Sequence, residues 1–345
     1  MHQILNACRT LYTSLTLQRF MYNFISIQNG GAIVISFILL VLGITFLVKG
    51  ADFLVSGAIS LATTFGVSKM FIGLSLVAFG TSVPELVVSV IASVKKVPGV
   101  SISNVVGSNI ANIALCLGIA SIIGSLTVKS KTIKLEVPFM ILVTIVFSSV
   151  LLRNDPPQVV WNDGVVFLTF FAVYVYYLYK MAISDMKTEE FKGESERLIF
   201  TIFKVVGGII GLWIGGDLTV NSVVKISEML GISKSLISLT LVAVGTSLPE
   251  IATSIIAVKK KEPDITIGNV IGSNIMNVLV VIGISSLFGN LTVDVGNYWM
   301  DVAFMFTLAI LLFVFVSTKR KIQKWEGMIL VAMYVPYIYL AISRR

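Results

Sequence analysis

The sequence predicts an all-α integral membrane protein whose about ten transmembrane helices form two inverted-topology five-helix repeats. Three observations lead there. Hydrophobic residues make up 56% of the 345-residue chain and charged residues 13%, roughly half the charged share of ordinary soluble domains. Apolar stretches long enough to cross about 30 Å of hydrocarbon recur from one end to the other. A block of the first half also returns in the second with nearly half its residues identical. This composition excludes a disordered chain. It excludes nucleic acid as a partner too, because the net charge of +8 comes from Lys and Arg in short clusters between apolar runs rather than from one basic patch.

Residues 1–31 hold Arg9, Arg19 and scattered polar groups with no clean apolar stretch, so they read as an N-terminal extension and not a signal peptide. The spans then follow near 32–58, 70–94, 102–124, 135–152 and 164–182, which places a first half at 32–183. A short hydrophilic linker at 184–198 mixes Lys with Glu189, Glu190, Glu194 and Glu196. The second half, 199–345, carries spans near 199–224, 235–258, 267–289, 298–317 and 325–342. Cytoplasmic loops are enriched in Lys and Arg. Setting both termini outside puts Lys69, Lys129, Lys131, Lys134, Lys259, Lys260, Lys261 and the linker inside, the larger share of the positive charge. The cell membrane is the expected location, with the lipid bilayer as the surrounding solvent and no obligate protein partner evident. Cys8 and Cys116 are too few for a disulfide framework.

A shift of 165 residues aligns 50–128 with 215–293 without a gap. Gly66–Glu85, GVSKMFIGLSLVAFGTSVPE, meets Gly231–Glu250, GISKSLISLTLVAVGTSLPE; Ser103–Asn112, SNVVGSNIAN, meets Gly268–Asn277, GNVIGSNIMN. The motif regions extend over 66–124 and 231–289. Five spans precede the second half, an odd number, so the copies enter the membrane from opposite sides, as in many secondary transporters.

Glu85 and Glu250 each fall near the middle of an apolar span. A lone carboxylate there costs at least about 3 kcal/mol, and such residues ordinarily face a cavity and bind something. In Gly80-Thr81-Ser82-Val83-Pro84-Glu85 and its copy Gly245-Thr246-Ser247-Leu248-Pro249-Glu250, proline removes a backbone donor, so Gly80, Pro84, Gly245 and Pro249 mark helix breaks. Freed carbonyls, Thr and Ser hydroxyls and a carboxylate then stand within about a turn and a half. All are hard oxygen ligands, suited to Ca²⁺, Mg²⁺ or Na⁺. Ser108 with Asn112, and Ser273 with Asn277, are four apart and share a helix face. Gly207, Gly211 and Gly215 read as a packing stripe, and Asp52 and Asp217 as solvated or hydrogen-bonded interface acids, with a place flanking an ion entrance as the alternative. No phosphate-binding loop, nucleophile elbow or metal-protease motif occurs. The chain is therefore expected to be no enzyme, to need no cofactor, and to move ions by secondary transport.

Two carboxylates among neutral oxygens form a site of charge minus two that one Ca²⁺, two or more Na⁺, or protons can neutralise. Competition of those occupants for shared ligands is the basis of an antiporter. The paired GTSxPE and GSNxxN segments resemble the two alpha repeats of the sodium/calcium exchanger family, within the Ca²⁺:cation antiporter superfamily, in its archaeal and bacterial form. That resemblance implies that Glu85, Glu250, Thr81 and Thr246 bind Ca²⁺. It implies sodium sites built from the same glutamates with Ser82, Ser108, Ser247, Ser273 and the carbonyls of Ala78 and Ala243, and a central position lined by Asn112 and Asn277. It further implies electrogenic Na⁺/Ca²⁺ exchange by alternating access. Some relatives carry Asp where this chain has Asn277, potassium-dependent exchangers among them, so K⁺-independence is expected. The alternative reading is a Ca²⁺, or other cation, antiporter driven by H⁺. A passive channel and a membrane scaffold are further classes, and the latter leaves both glutamates without a reason.

Overall fold

The longest apolar run builds α1 (Asn29–Phe65), a 37-residue helix. At about 1.5 Å per residue it exceeds what a membrane crossing needs. The computed structural model describes residues 29–97, 99–153, 156–188, 196–229, 245–293 and 298–343. The N-terminal extension before Asn29, most of the linker and residues 230–244 lie outside them. After α1 come α2 (Lys69–Thr81) and α3 (Val83–Val94), bent by 44° at Ser82, then α4 (Val100–Ile123), α5 (Ser130–Leu152) and α6 (Trp161–Thr188). The second half runs α7 (Leu198–Met229), α8 (Leu248–Lys259), α9 (Pro263–Ser286), α10 (Tyr298–Lys319) and α11 (Lys324–Ser343). Seven of these helices are long and apolar enough to cross a membrane, or eight if the bent pair α2–α3 is one span. About ten spans are expected from the sequence; the one near 235–258 lies partly outside the described residues.

The burial of each helix sets its place in the bundle. The apolar window of α9 is 94% buried and that of α4 78%, against 28% for α1 and for α7. Helices α4 and α9 are therefore the centre of the molecule. Their core is formed with α5, α6 and α10 by residues such as Ile110, Leu117, Met140, Phe147, Ile275 and Leu308. Helices α1 and α7 pack on one another and present Phe37, Val41, Phe53, Phe203 and Ile210 outward, a surface suited to lipid.

What lets α1 and α7 approach is glycine, in a reciprocal arrangement. A Cβ on Gly50 would stand 2.6 Å from the Leu212 nitrogen and one on Gly215 2.5 Å from the Leu47 nitrogen. The same holds for Gly43 against Thr219, at 2.8 Å, and Gly208 against Leu54, at 2.5 Å. Each contact recurs with its partners exchanged between halves. The packing stripe read as Gly207, Gly211 and Gly215 is thus corrected to Gly208, Gly211 and Gly215. A Cβ on Gly207 meets nothing within 4 Å, because residues 208, 211 and 215 share one helical face and 207 points away from it.

The all-α expectation also misses four two-residue strands. Strand β1 (Leu126–Thr127) pairs antiparallel with β4 (Lys321–Ile322), and β2 (Gln158–Val159) with β3 (Leu291–Thr292). Each ribbon joins one half to the other. The contact between α4 and α11 at Gly118 and Gly327 is mirrored by that between α9 and α6 at Gly283 and Gly164. At one end of the bundle Lys69, Lys129 and Lys260, grouped on one side of the membrane by the sequence, pair with Glu262, Asp264 and Asp52 at 2.6, 2.9 and 2.8 Å. Asp52 is thereby an interface acid joining α1 to the end of α8.

Candidate functional site

The break between α2 and α3 places the first carboxylate. Ser82, at φ −86° and ψ 3°, leaves the helix, and Val83-Pro84-Glu85 starts the next one. Proline is tolerated in a first turn, where its missing N–H would have no intrahelical acceptor. Glu85 then sits where exposed amides favour a negative charge. The second copy repeats the geometry: Ser247 is at φ −87° and ψ 3°, followed by Leu248-Pro249-Glu250. A Cβ on Gly80 would lie 2.8 Å from the Ile209 side chain and one on Gly245 2.5 Å from that of Val220. The motif glycines are what allow α7 to lie against both breaks.

Both glutamates are fully buried. Ser108 on α4 donates to Glu85 Oε1 at 3.3 Å and stands 3.3 Å from the Thr246 hydroxyl. Thr81 stands 3.4 Å from the Ser273 hydroxyl on α9, the same pairing with the halves exchanged. Thr81 donates to Asn269 Oδ1 at 3.1 Å and Thr246 to Asn104 Oδ1 at 3.3 Å. Among the described residues none comes within hydrogen-bonding geometry of Glu85 Oε2, either carboxyl oxygen of Glu250, or the hydroxyls of Ser82 and Ser247. Thr81 and Ser82 approach Glu250 without reaching that geometry. Buried polar atoms are ordinarily partnered, so this concentration of open oxygens has the chemistry of a cation site.

The backbone contributes as well. The Ala78 carbonyl accepts from Ser82 N at 3.0 Å, Thr81 Oγ1 at 3.3 Å and Ser273 Oγ at 3.4 Å; its expected counterpart Ala243 lies outside the described residues. Asn112 and Asn277 each open a π-helical turn, Asn112–Leu117 in α4 and Asn277–Ile282 in α9. Such turns are frequent at functional sites. Gly73–Val77 of α2 is a third. Asn112 and Asn277 are fully buried and are held by a pair that sequence reasoning did not single out, Asn274 at 3.1 Å and Asn109 at 3.0 Å. Asn104, which also donates to Ser89 at 3.0 Å, and Asn269 were likewise missed. Their identity in both copies of the repeat was the available signal.

Hydrogen-bonding contacts thus connect Glu85, Ser108 and Thr246, connect Thr81 and Ser273, and tie Asn112 and Asn277 to Asn274 and Asn109, while Ser82, Ser247 and Glu250 are buried within about a turn of those threonines. Among the described residues no three of His, Cys, Asp and Glu cluster together. An ion held here would be bound by two carboxylates and neutral oxygens, the donor set of Ca²⁺ and Na⁺ rather than of transition metals.

Comparison with known proteins gives the same direction. Residues 35–180 and 200–343 match the family described as sodium/calcium exchanger protein. The chain is 32% identical over 343 residues to the sodium/calcium exchanger MaX1 of Methanosarcina acetivorans, covering 89% of this chain and 98% of the relative. It is 34% identical over 275 residues to an uncharacterized membrane protein of Methanocaldococcus jannaschii, covering 80% and 87%. The solved structure of the sodium-calcium exchanger NCX_Mj, soaked with 10 mM Na⁺ and no Ca²⁺, superposes with a TM-score of 0.76 at 32% identity over 89% of this chain and 99% of that one.

Proposed function

The chain belongs to the sodium/calcium exchanger family, and from that premise we infer that it is a multi-pass antiporter exchanging Na⁺ for Ca²⁺ across the cell membrane, with both termini outside. The observation that carries this reading is the pair of fully buried glutamates, each just after a helix break, with Ser108 donating to Glu85 while standing 3.3 Å from the Thr246 hydroxyl of the opposite half. Glu85 and Glu250, with Thr81 and Thr246, would hold Ca²⁺. Ser82, Ser247, Ser108 and Ser273, with the Ala78 and Ala243 carbonyls, would complete sodium positions that share those carboxylates. Asn112 and Asn277 would line the centre.

Shared ligands make the exchange obligatory. Empty, the site leaves two carboxylates facing each other in a low-dielectric interior, an arrangement costing at least several kcal/mol. One Ca²⁺ cancels that charge, and sodium ions can do the same, so the protein changes its access when occupied and resists doing so when empty. A third sodium would carry net charge across, which is the sense in which exchange is electrogenic. Asn at 277 keeps the centre neutral and supports K⁺-independence. The reciprocal contacts between halves, Gly50 with Leu212 and Gly215 with Leu47 among them, support two five-helix repeats of opposite orientation.

Uptake of radiolabelled Ca²⁺ into proteoliposomes loaded with Na⁺, against vesicles loaded with K⁺ or choline and vesicles carrying only a pH gradient, tests this. Uptake that requires internal Na⁺ supports the exchanger. Uptake following the proton gradient alone replaces it with Ca²⁺/H⁺ exchange.

A further inference from the structure

We propose that Asn109 and Asn274 are positioning residues that fix the amide orientation of the central pair, so that Asn277 turns its side-chain oxygen toward the ion. The proposal rests on the ion-site reading above and goes beyond it in naming what aims the ligand and which of the two amides is the stronger one.

Asparagine carries an acceptor on one side and a donor on the other, and the neighbours decide which faces which. The Asn109 Nδ2 is opposite two acceptors, the Asn274 backbone carbonyl at 3.3 Å and the Met305 sulfur at 3.8 Å. Its Oδ1 is therefore left to face Asn277, and Asn277 answers with Nδ2 at 3.0 Å. The Asn277 oxygen must then point the other way. It is buried and has no partner of hydrogen-bonding geometry among the described residues.

The second half repeats the device with a difference. Asn274 Nδ2 is opposite the Asn109 carbonyl at 3.5 Å and the Met140 sulfur at 3.7 Å, and its Oδ1 accepts from Asn112 Nδ2 at 3.1 Å. The freed Asn112 oxygen meets the Cys116 thiol, which donates to it at 3.6 Å. The residue in the place of Cys116 in the other half is Val281, which has no polar atom. A hydrogen bond to sulfur is weak, yet it occupies one lone pair of Asn112 and none of Asn277. The two central amides are therefore unequal, and Asn277 is the better oxygen donor to a cation.

Residues that orient a metal ligand change affinity by about 10–100-fold when removed. In proteoliposomes, Asn109→Ser is expected to raise the internal Na⁺ concentration for half-maximal Ca²⁺ uptake about tenfold or more, with the maximal rate retained. A carboxylate presents oxygen in either orientation, so in an Asn277→Asp background the same Asn109→Ser change is expected to shift half-saturation by less than about twofold. An unchanged half-saturation in the single variant, or an equal loss in both backgrounds, overturns the proposal. The unsubstituted protein is measured alongside: absence of Na⁺-driven uptake there overturns the transport reading instead. A Na⁺-soaked crystal of the unsubstituted protein decides the positioning claim even if the variants fail to insert. An Asn277 oxygen within about 2.6 Å of the ion supports it, and an ion without that oxygen, or no ion, overturns it.

Discussion

Ser108 donates to Glu85 Oε1 across 3.3 Å, from the middle of α4 to the first turn of α3. The same hydroxyl stands 3.3 Å from Thr246 of the other half, so one small side chain touches both copies of the motif. Loss of this hydroxyl in Ser108→Ala, or of its counterpart in Ser273→Ala, is expected to raise the Na⁺ concentration for half-maximal Ca²⁺ uptake roughly two- to tenfold. Titration of internal Na⁺ in proteoliposomes checks it; an unchanged curve in both variants removes these serines from the sodium positions.

Glu85→Gln and Glu250→Gln each keep the shape of the side chain and remove its charge. Either is expected to abolish Na⁺-driven Ca²⁺ uptake while the protein still inserts and elutes as a single species. A transport rate above one tenth of the parent's in both would withdraw the carboxylates from the ion site.

Gly208 and Gly207 are neighbours in sequence with opposite surroundings. Gly208→Val puts a branched side chain where a Cβ alone would stand 2.5 Å from the Leu54 nitrogen, and a cost of about 1–3 kcal/mol follows from overpacking. Gly207→Ala meets open space and is expected to leave Tm unchanged or slightly raised. Thermal unfolding in detergent compares the two. Equal losses would mean that α7 does not meet α1 through the face containing 208.

Asp52 and Lys260 are paired at 2.8 Å with side chains 44% and 29% exposed. Solvent screens such a pair, which is worth about 0–1 kcal/mol. Asp52→Asn is therefore expected to shift Tm by at most about 3 °C, less in high salt, and the exchanged pair Asp52→Lys with Lys260→Asp to recover the difference. A larger, salt-independent loss would show that Asp52 does more than hold α1 to α8.

Much of this was legible in the sequence because hydropathy and repetition act over many residues. Twenty-odd apolar side chains mark a span whatever their detailed packing, and two copies of GTSxPE announce their own importance. What remained hidden depends on single positions and distant partners. The π-helical turns after Asn112 and Asn277 add one residue to a turn without altering hydropathy. The strands Leu126–Thr127 and Leu291–Thr292 form only because partners far along the chain reach them. A glycine stripe read at a spacing of four picked Gly207 in place of Gly208, since 207, 211 and 215 drift around a helix of about 3.6 residues per turn. Asn109 and Asn274 stand inside the GSNxxN segments, yet their hydrogen bonds to Asn277 and Asn112 are recognisable only once the two halves are placed together.

The two ribbons give the order in which the molecule can be finished. Strand β1 emerges early, but its partner β4 lies just ahead of the last helix; β2, also from the first half, waits for β3. During synthesis the first half is left with two unclosed edges until β3 and β4 have been made. Each half is thus stitched shut by the other. Severed after α6 and produced as separate polypeptides, the halves would have to find each other before either completed its own fold, so this molecule is better regarded as one interlaced body than as two modules in series.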